Sequence, residues 1–325
     1  MSQGSKRKDK ISEMKNYYKM QSFNLKNIPD LDICVLGALE LFNREKISGI
    51  KIPYKRPLVV GSGNAEATGR ILFNDGDALF ASESTYENKL DNIKEIDGVV
   101  IVSASGSKHA PIIARGSRKY KKKISLMTNN PKSETKKYIE DNKLSEEYVF
   151  PKQREPYTYN TSTYLGMILG KTKEDPGNIY NFIKRDIDKI RFPDFGKYDK
   201  FFLIIPPELS IGIHRMIQVK FMELFGRKIA RDVETSDQIK HATTLVPSKE
   251  LFISFGEMNT HWGDEKDRLF IPLPKNASYG AMMAISYYVI GKIQKAHPPY
   301  FKRNIGEYVK DASRVFGSEI KAIVE

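Results

Sequence analysis

The stretch Val99–Ala110 reads Val-Val-Ile-Val-Ser-Ala-Ser-Gly-Ser-Lys-His-Ala and predicts a strand, a short polar loop and the start of a helix. Its first four residues are β-branched, which is typical of a buried parallel strand. The first N–H groups of a helix have no partner within the helix, and the helix dipole adds partial positive charge there. We therefore expect the serines and Lys108 of this loop to bind a phosphate group.

A similar strand-to-helix turn precedes this stretch in the chain. Leu58–Val60 predicts a strand that ends in Gly61-Ser62-Gly63-Asn64, before a helical segment. A glycine turn of this kind also occurs in dinucleotide-binding folds. The full dinucleotide fingerprint is absent, because Ala65 and Glu66 stand where its third glycine would fall. We expect this turn to face the same ligand as the serine loop.

Short apolar runs and helical segments alternate along the chain, which predicts parallel sheets with right-handed crossovers. The predicted strands are Leu58–Val60, Ala78–Ser82, Val99–Val102, Ile124–Met127 and Tyr148–Phe150 in the first half, and Phe201–Ile205, Lys228–Ala230, Leu251–Phe255 and Leu269–Ile271 in the second. The predicted helices include Ile11–Met20, Leu31–Phe42 (with Asp30 as N-cap), Ala65–Phe73, Ser133–Asn142, one that begins at Thr161–Thr163, Asn178–Ile190, Glu208–Phe225, Tyr279–Lys295 and a last one from Asp311.

The second half therefore repeats the pattern of the first, as a diverged internal duplication would. We predict an α/β fold with two domains, each a parallel sheet flanked by helices in three layers. Residues 1–50 form a helical lead-in, residues 51–177 the first domain and residues 178–325 the second. In the second half, Pro206 and Pro207 follow a strand and lack the N–H donors of the first glycine turn. The phosphate loops are therefore expected in the first domain alone.

Composition is that of a soluble globular protein. The chain has 325 residues, of which 40% are hydrophobic and 29% charged. Its apolar runs are far shorter than the ~20 residues that span a bilayer. Cys34 is the only cysteine, so neither a disulfide framework nor a thiolate metal cluster is expected. Without a signal-peptide pattern at the N-terminus, the sequence favours the reducing cytoplasm.

The net charge of +13 favours anionic partners. Nucleic acid is one candidate, supported by the basic run Arg118–Lys123. The alternative is a solvated helix end, because cations stabilise the last turn of a helix. Extended interleaving of basic and aromatic residues is absent, so a small phosphorylated ligand is favoured over nucleic acid.

The order of these turns resembles that of the SIS (sugar isomerase) family of phosphosugar-binding domains. The motifs that carry the resemblance are Gly61–Asn64, Ser103-Ala104-Ser105-Gly106 and Thr128-Asn129-Asn130-Pro131, each after a strand. The tandem arrangement is similar to that of the isomerase domain of glucosamine-6-phosphate synthase and of related archaeal enzymes. The resemblance implies a phosphosugar site formed by Ser62, Gly63, Asn64, Ser103, Ser105, Gly106, Ser107 and Lys108. Lys108 stands where the family often has threonine.

The second half carries two further segments of this resemblance. Ile239-Lys240-His241 is similar to a Leu-Lys-His segment whose histidine opens the sugar ring, which implies that role for His241. Glu223 resembles the glutamate that moves a proton between C1 and C2. Read from the residues alone, His241 could be a surface histidine, and Glu223 could face solvent or pair with Arg227. Glu155 is a further candidate base, and His109 follows the phosphate loop.

The C-terminal segment departs from the family pattern. Arg303-Asn304-Ile305-Gly306-Glu307 resembles a synthase segment whose last residue is a lysine that engages the open-chain ketose, and Glu307 replaces it here. This replacement argues against the full synthase reaction.

The predicted function is aldose–ketose isomerisation, or the related deamination, of a hexose 6-phosphate such as fructose 6-phosphate or glucosamine 6-phosphate. The alternative is a non-catalytic phosphosugar sensor. The chemistry needs a phosphate anchor and two acid–base groups but neither metal nor cofactor, and a histidine with a pKa of ~6.5 suits ring opening. The five histidines show no metal-ligand spacing. The resemblance also implies a homodimer, in which His241 could reach a neighbour's site.

Overall fold

The computed structural model describes residues 14–139, 145–241 and 248–325. A five-stranded parallel sheet occupies the first half and has the order β2-β1-β3-β4-β5. Val59 pairs with Phe80 on one side and with Val100 on the other, so β1 lies inside the sheet. The strands are β1 (Pro57–Val60), β2 (Leu79–Ala81), β3 (Gly98–Val102), β4 (Lys123–Thr128) and β5 (Glu146–Val149).

A four-stranded parallel sheet occupies the second half and has the order β10-β9-β7-β8. Its strands are β7 (Lys200–Ile205), β8 (Ala230–Thr235), β9 (Leu251–Phe255) and β10 (Arg268–Ile271). A short antiparallel pair joins β6 (Glu155–Pro156) to β11 (Ile323–Val324). The C-terminus therefore returns to the first half of the chain.

Helices cover both sheets. In the described residues they are α1 (Lys15–Ser22), α2 (Leu31–Arg44), α3 (Asn64–Leu72), α4 (Tyr86–Asn92), α5 (His109–Lys119), α6 (Thr161–Thr172), α7 (Pro176–Phe182), α8 (Ile213–Phe225), α9 (Gln238–His241), α10 (Tyr279–Ala296), α11 (Tyr300–Arg303) and α12 (Ile305–Phe316). A π-helical turn, Ile183–Ile187, continues α7, and short 3-10 turns occur at Glu134–Tyr138, Phe195–Lys197, Pro207–Leu209 and Glu265–Asp267. None of the described helices is long and apolar enough to cross a membrane.

One continuous apolar core joins the two sheets. It contains Val59 and Val100 of the first sheet, Leu203 and Ile253 of the second, and residues of α2, α6 and α10. Fifteen of the eighteen residues of α10 are buried, as expected for a helix that is apolar on all sides. On the outer face of the first sheet, α4 and α5 cover a separate apolar cluster. The first sheet therefore lies between two helical layers.

The interior strands were predicted from sequence to within two residues, but the edge strand β8 was not. The predicted strand Lys228–Ala230 is wrong, because the observed strand runs from Ala230 to Thr235. Only Val233 of this strand is buried. An edge strand pairs on one side alone and tolerates charged residues such as Arg231 and Asp232, so the apolar signal is lost.

Three predicted helices have different bounds in the structure. In place of Ser133–Asn142 there is the 3-10 turn Glu134–Tyr138, and residues 140–144 lie outside the described residues. The predicted helix Glu208–Phe225 begins only at Ile213, because Gly212 interrupts it with a positive φ of 73°. A Cβ at Gly212 would lie 2.3 Å from the Ala67 carbonyl oxygen, so close packing on α3 requires this glycine.

The C-terminal helix begins at Ile305 and not at Asp311. At the other end of the chain, the predicted helix Ile11–Met20 is observed as α1, while residues 11–13 lie outside the described part. Asp30 precedes α2 but does not cap it with its side chain. Its carboxylate instead pairs with Lys302, next to α12. The Asp30 side chain therefore binds a residue that is distant in sequence, and it does not form the predicted cap at the N-terminus of α2.

Candidate functional site

The site lies at the carboxyl edge of the first sheet, between the ends of β1 and β3. From β1 the chain first forms β2 on one side and then β3 on the other, so the strand order reverses between β1 and β3. Open α/β sheets bind ligands at such a reversal point. The turn Gly61–Asn64 and the loop Ser103–Lys108 both lie there, as predicted.

The serine loop is ordered by hydrogen bonds within itself. The Gly106 N–H donates to Ser103 Oγ at 3.1 Å. The Ser107 N–H donates to Ser105 Oγ at 3.3 Å, and Ser107 Oγ donates to the Ser105 carbonyl at 3.0 Å. Among the described residues, no side chain caps the N-terminus of α5. The serines therefore do not act as helix caps, and the first-turn N–H groups stay available to an anion.

Side chains from the end of β4 and from the turn after it donate hydrogen bonds to carbonyls of this loop. The Gly106 carbonyl accepts hydrogen bonds from Ser133 Oγ at 2.8 Å and from Thr135 Oγ1 at 2.6 Å. Thr128 Oγ1 donates to the Ala104 carbonyl at 2.9 Å, and Asn130 Nδ2 donates to the Ser105 carbonyl at the same distance. The Thr128–Asn130 motif thus fixes the shape of the phosphate loop. Sequence reasoning missed the roles of Ser133 and Thr135.

Replacing Gly106 by alanine is expected to destabilise the protein by about 2 kcal/mol and to disrupt phosphate binding. Gly106 has a φ of 60°, and a Cβ there would lie 2.1 Å from Ser133 Oγ. Gly317 is a matched control, because its φ is 62° and a Cβ would meet nothing within 4 Å. Urea unfolding of both variants measures the decrease in the free energy of unfolding. Equal stability of Gly106→Ala and Gly317→Ala would show that the loop relaxes without loss.

The first glycine turn brings the backbone close to α3. A Cβ at Gly61 would lie 2.8 Å from the backbone nitrogen of Glu66, and Gly63 adopts a φ of 57° at the N-cap of α3. The Asn64 side chain is only 6% exposed, and its Oδ1 has no hydrogen-bond partner among the described residues. The glycines therefore shape the turn, while the Asn64 amide lies mostly inside the protein.

A carboxylate stands beside this turn. Ser62 Oγ donates to Glu83 Oε2 at 2.6 Å, and His109 Nδ1 lies 3.7 Å from the same oxygen. A negative charge here disfavours a phosphate dianion close to Ser62. The electrostatics therefore favour the Ser103–Lys108 loop over Ser62 as the phosphate site.

The Lys108 side chain points from the loop towards the C-terminal part of the chain. Its Nζ lies 4.8 Å from the centre of the Phe316 ring and 6.0 Å from that of Tyr157. Burial lowers the pKa of Lys108, and the two aromatic faces favour its cationic form. Lys108 thus connects the phosphate loop with Tyr157.

Glu223 lies on α8 and is held by a buried lysine. Glu223 Oε2 accepts a hydrogen bond from Lys220 Nζ at 2.7 Å, and the Glu223 side chain is 32% exposed. Lys220 also donates to the carbonyls of Thr158 at 2.8 Å and Tyr159 at 2.7 Å, which uses all three of its protons. The partner of Glu223 in the described structure is therefore Lys220 and not Arg227. No pattern in the sequence predicts this triple contact.

The charge of Glu223 acts on the pKa values of four tyrosines. Burial, together with the Glu223 charge, raises the pKa values of Tyr157, Tyr164 and Tyr287. The pKa of Tyr308 is raised to about 12 by burial, by Tyr157 and by Glu223. These phenols therefore stay protonated near neutral pH and can act as hydrogen-bond donors.

Glu155 is a buried carboxylate at the start of α6. It is 4% exposed, and its oxygens accept the backbone N–H groups of Thr161 at 2.6 Å and Ser162 at 2.7 Å. These are the first N–H groups of α6, so the carboxylate caps that helix and interacts with its dipole. These contacts give Glu155 a structural role, and its candidate role as a base stays a prediction.

In the described structure, His241 makes no polar contact with the other predicted site residues. It is exposed at the end of α9, directly before residues 242–247, which lie outside the described part. Within the described ranges, no hydrogen bond, ion pair or ring contact joins it to Glu223 or to Lys108. Nor do the His, Cys, Asp and Glu side chains of these ranges form a group of three or more that could hold a metal.

Comparison with known proteins gives matches at the level of structure. No family model matches the sequence, and no curated protein sequence does. The C-terminal domain of glucosamine-fructose-6-phosphate aminotransferase from Francisella tularensis is 13% identical, with a TM-score of 0.57 over 86% of this chain and 94% of that chain. Glucosamine-6-phosphate deaminase from Thermotoga maritima is also 13% identical, with a TM-score of 0.57 over 88% of this chain and 95% of that chain.

A third solved structure has a similar fold. Tagatose-6-phosphate ketose/aldose isomerase from Escherichia coli is 10% identical, with a TM-score of 0.51 over 89% of this chain and 93% of that chain. The SIS-type α/β fold that the sequence motifs predicted is thereby confirmed. At these identities the similarity concerns the fold alone.

Proposed function

We propose that this protein binds a hexose 6-phosphate and isomerises it between aldose and ketose, or deaminates the corresponding amino sugar. Fructose 6-phosphate and glucosamine 6-phosphate are the first substrates to test. The proposal rests on one juxtaposition. Lys108 Nζ, at the end of the serine loop, lies 6.0 Å from the centre of the Tyr157 ring, and Lys220 Nζ donates both to the carbonyl of the next residue, Thr158, and to the Glu223 carboxylate. A phosphate anchor and a candidate base thus both lie near the segment Tyr157–Thr158.

The proposed division of roles follows from the chemistry of each group. The serine hydroxyls and backbone N–H groups of the Ser103–Lys108 loop, with the Lys108 ammonium, bind the phosphate. Glu223 moves a proton between C1 and C2, and Lys220 fixes the direction of its carboxylate. No metal or cofactor takes part in this scheme.

The remaining roles depend on the assembly of the protein. We propose two SIS-like domains, residues 51–177 and 178–325, in one chain that forms a homodimer. His241 would then open the sugar ring in the site of a neighbouring copy, since among the described residues no hydrogen bond or ion pair joins it to Glu223. The two parallel sheets of the structure and their similarity to phosphosugar isomerases and a deaminase support this arrangement.

The second candidate function is a phosphosugar sensor without catalysis. Two observations favour it. His241 is exposed and has no described contact with Glu223, and Glu307 stands where the resembling synthase segment has a lysine. The phosphate loop would then bind its ligand without an acid–base group to act on it.

Thermal unfolding with added ligands tests binding, and solvent exchange tests catalysis. Fructose 6-phosphate or glucosamine 6-phosphate is expected to raise the melting temperature, because binding to the native state stabilises it. Ser103→Ala is expected to weaken that shift, whereas Ser84→Ala, after β2, is the control. In D2O, deuterium uptake at C1 of fructose 6-phosphate, or at C2 of the aldose formed from it, indicates an isomerase, and binding without exchange indicates the sensor. If no hexose phosphate shifts the melting temperature, the proposed function is wrong.

A further inference from the structure

The ends of three neighbouring strands bring a histidine and a carboxylate together at the carboxyl edge of the first sheet. The strand order β2-β1-β3 places Glu83 after β2, Ser62 after β1 and His109 after the serine loop that follows β3. Ser62 Oγ donates to Glu83 Oε2 at 2.6 Å, and His109 Nδ1 lies 3.7 Å from the same oxygen. The pair of Glu83 and His109 therefore spans the end of β1, at the reversal point where open α/β sheets bind their ligands.

The His109 imidazole is oriented on one side and accessible on the other. Its Nδ1 faces the Glu83 carboxylate, and its side chain is 55% exposed. In the part of the chain that the structure describes, His109 Nε2 makes no hydrogen bond. A carboxylate at one ring nitrogen orients the imidazole and leaves the other nitrogen for a ligand. His109 Nε2 can therefore exchange a proton with a molecule bound at this edge of the sheet.

The ring oxygen of a hexose 6-phosphate lies close to the phosphate group. In the furanose of fructose and in the pyranose of glucosamine, this oxygen is bonded to C5, which also carries the phosphorylated C6. The proposed phosphate loop ends at Lys108, and His109 follows directly as the first residue of α5. A sugar whose phosphate is held by this loop therefore has its ring oxygen on the side of the site where His109 lies.

We propose that His109 is the acid that protonates the ring oxygen when the bound sugar opens, and that Glu83 is its positioning residue. His109 Nε2–H gives its proton to the ring oxygen, and the bond between that oxygen and the anomeric carbon breaks. The anomeric hydroxyl loses its proton to the proposed base, His241 of a neighbouring copy, and becomes the carbonyl.

This inference rests on the proposed function, and it adds the second group that ring opening requires, because one proton is removed and another is donated. Histidine suits this step, since it is the side chain that changes its charge near neutral pH. The exposed side of the imidazole then lets His109 regain a proton from water.

His109→Gln tests this assignment with two ketose phosphates. Fructose 6-phosphate closes to a ring in water, whereas 5-deoxyfructose 6-phosphate lacks the C5 hydroxyl that closes the ring and stays an open chain. His109→Gln is expected to slow deuterium exchange at C1 of fructose 6-phosphate about 10²-fold and exchange at C1 of the open-chain sugar less than about twofold. Proton NMR in D2O at saturating sugar measures both rates. A merely structural effect on the phosphate loop would slow both sugars alike.

Two further variants make the test specific. Glu83→Gln is expected to slow exchange of fructose 6-phosphate alone, about tenfold, because the imidazole is then held less well. His261→Gln, at an exposed position after β9, is expected to exchange both sugars like the wild type. If His109→Gln exchanges fructose 6-phosphate like the wild type, or slows both sugars equally, the assignment of His109 is wrong while the proposed function stands. If the wild type exchanges neither sugar, the proposed isomerisation is wrong and the assignment of His109 with it.

Discussion

Replacing Glu223 by glutamine is expected to slow hydrogen exchange at C1 of fructose 6-phosphate by about 10²–10⁴-fold, while sugar binding changes only a few fold. A carboxylate can accept a proton from C1 of the ketose and deliver it to C2, and an amide cannot. Glutamine has nearly the same shape and keeps an oxygen that can accept from Lys220 Nζ, 2.7 Å away in the wild type. Proton NMR in D2O measures the exchange, and calorimetric titration measures the binding.

Glu155→Gln is the informative control for this prediction. Glu155 caps α6 through Thr161 and Ser162, so loss of its charge is expected to lower the melting temperature and to leave exchange per folded molecule unchanged. If Glu155→Gln abolished exchange and Glu223→Gln did not, the two carboxylates would have the opposite roles.

The strands that the sequence predicted best are those buried on both faces. All five residues of β3 are buried, so only apolar residues fit, and its run of valine and isoleucine is unambiguous. The polar residues after it had to lie at the carboxyl edge of the sheet. The position of the serine loop was therefore predictable from local sequence.

Contacts between distant segments could not be predicted in this way. Helical spacing suggested Arg227 as the partner of Glu223, four residues away, whereas the partner is Lys220 on the preceding turn. Lys220 is drawn into the interior by two carbonyls about 60 positions earlier in the chain, at Thr158 and Tyr159. Which carbonyls are unpaired in the core depends on the whole fold, so no local pattern reveals it.

Replacing Lys220 by methionine is expected to destabilise the protein by about 2–4 kcal/mol. The Lys220 side chain is fully buried, and its ammonium serves three acceptors. Methionine fills most of the same volume but leaves the carbonyls of Thr158 and Tyr159 unpaired and the Glu223 carboxylate without its cation. Urea unfolding of the variant against the wild type measures the loss.

A double-mutant cycle separates the ion pair from the two carbonyl contacts. Lys220→Met combined with Glu223→Gln is expected to be more stable than the sum of the two single changes predicts, because no unpaired carboxylate then remains. The stability loss that remains in the double variant is then due to the Thr158 and Tyr159 carbonyls, because methionine cannot donate a hydrogen bond to them. Lys228→Met, at an exposed position just after α8, is expected to change stability by less than about 0.5 kcal/mol. Equal stability of Lys220→Met and Lys228→Met would show that the buried ammonium is not what fixes Glu223.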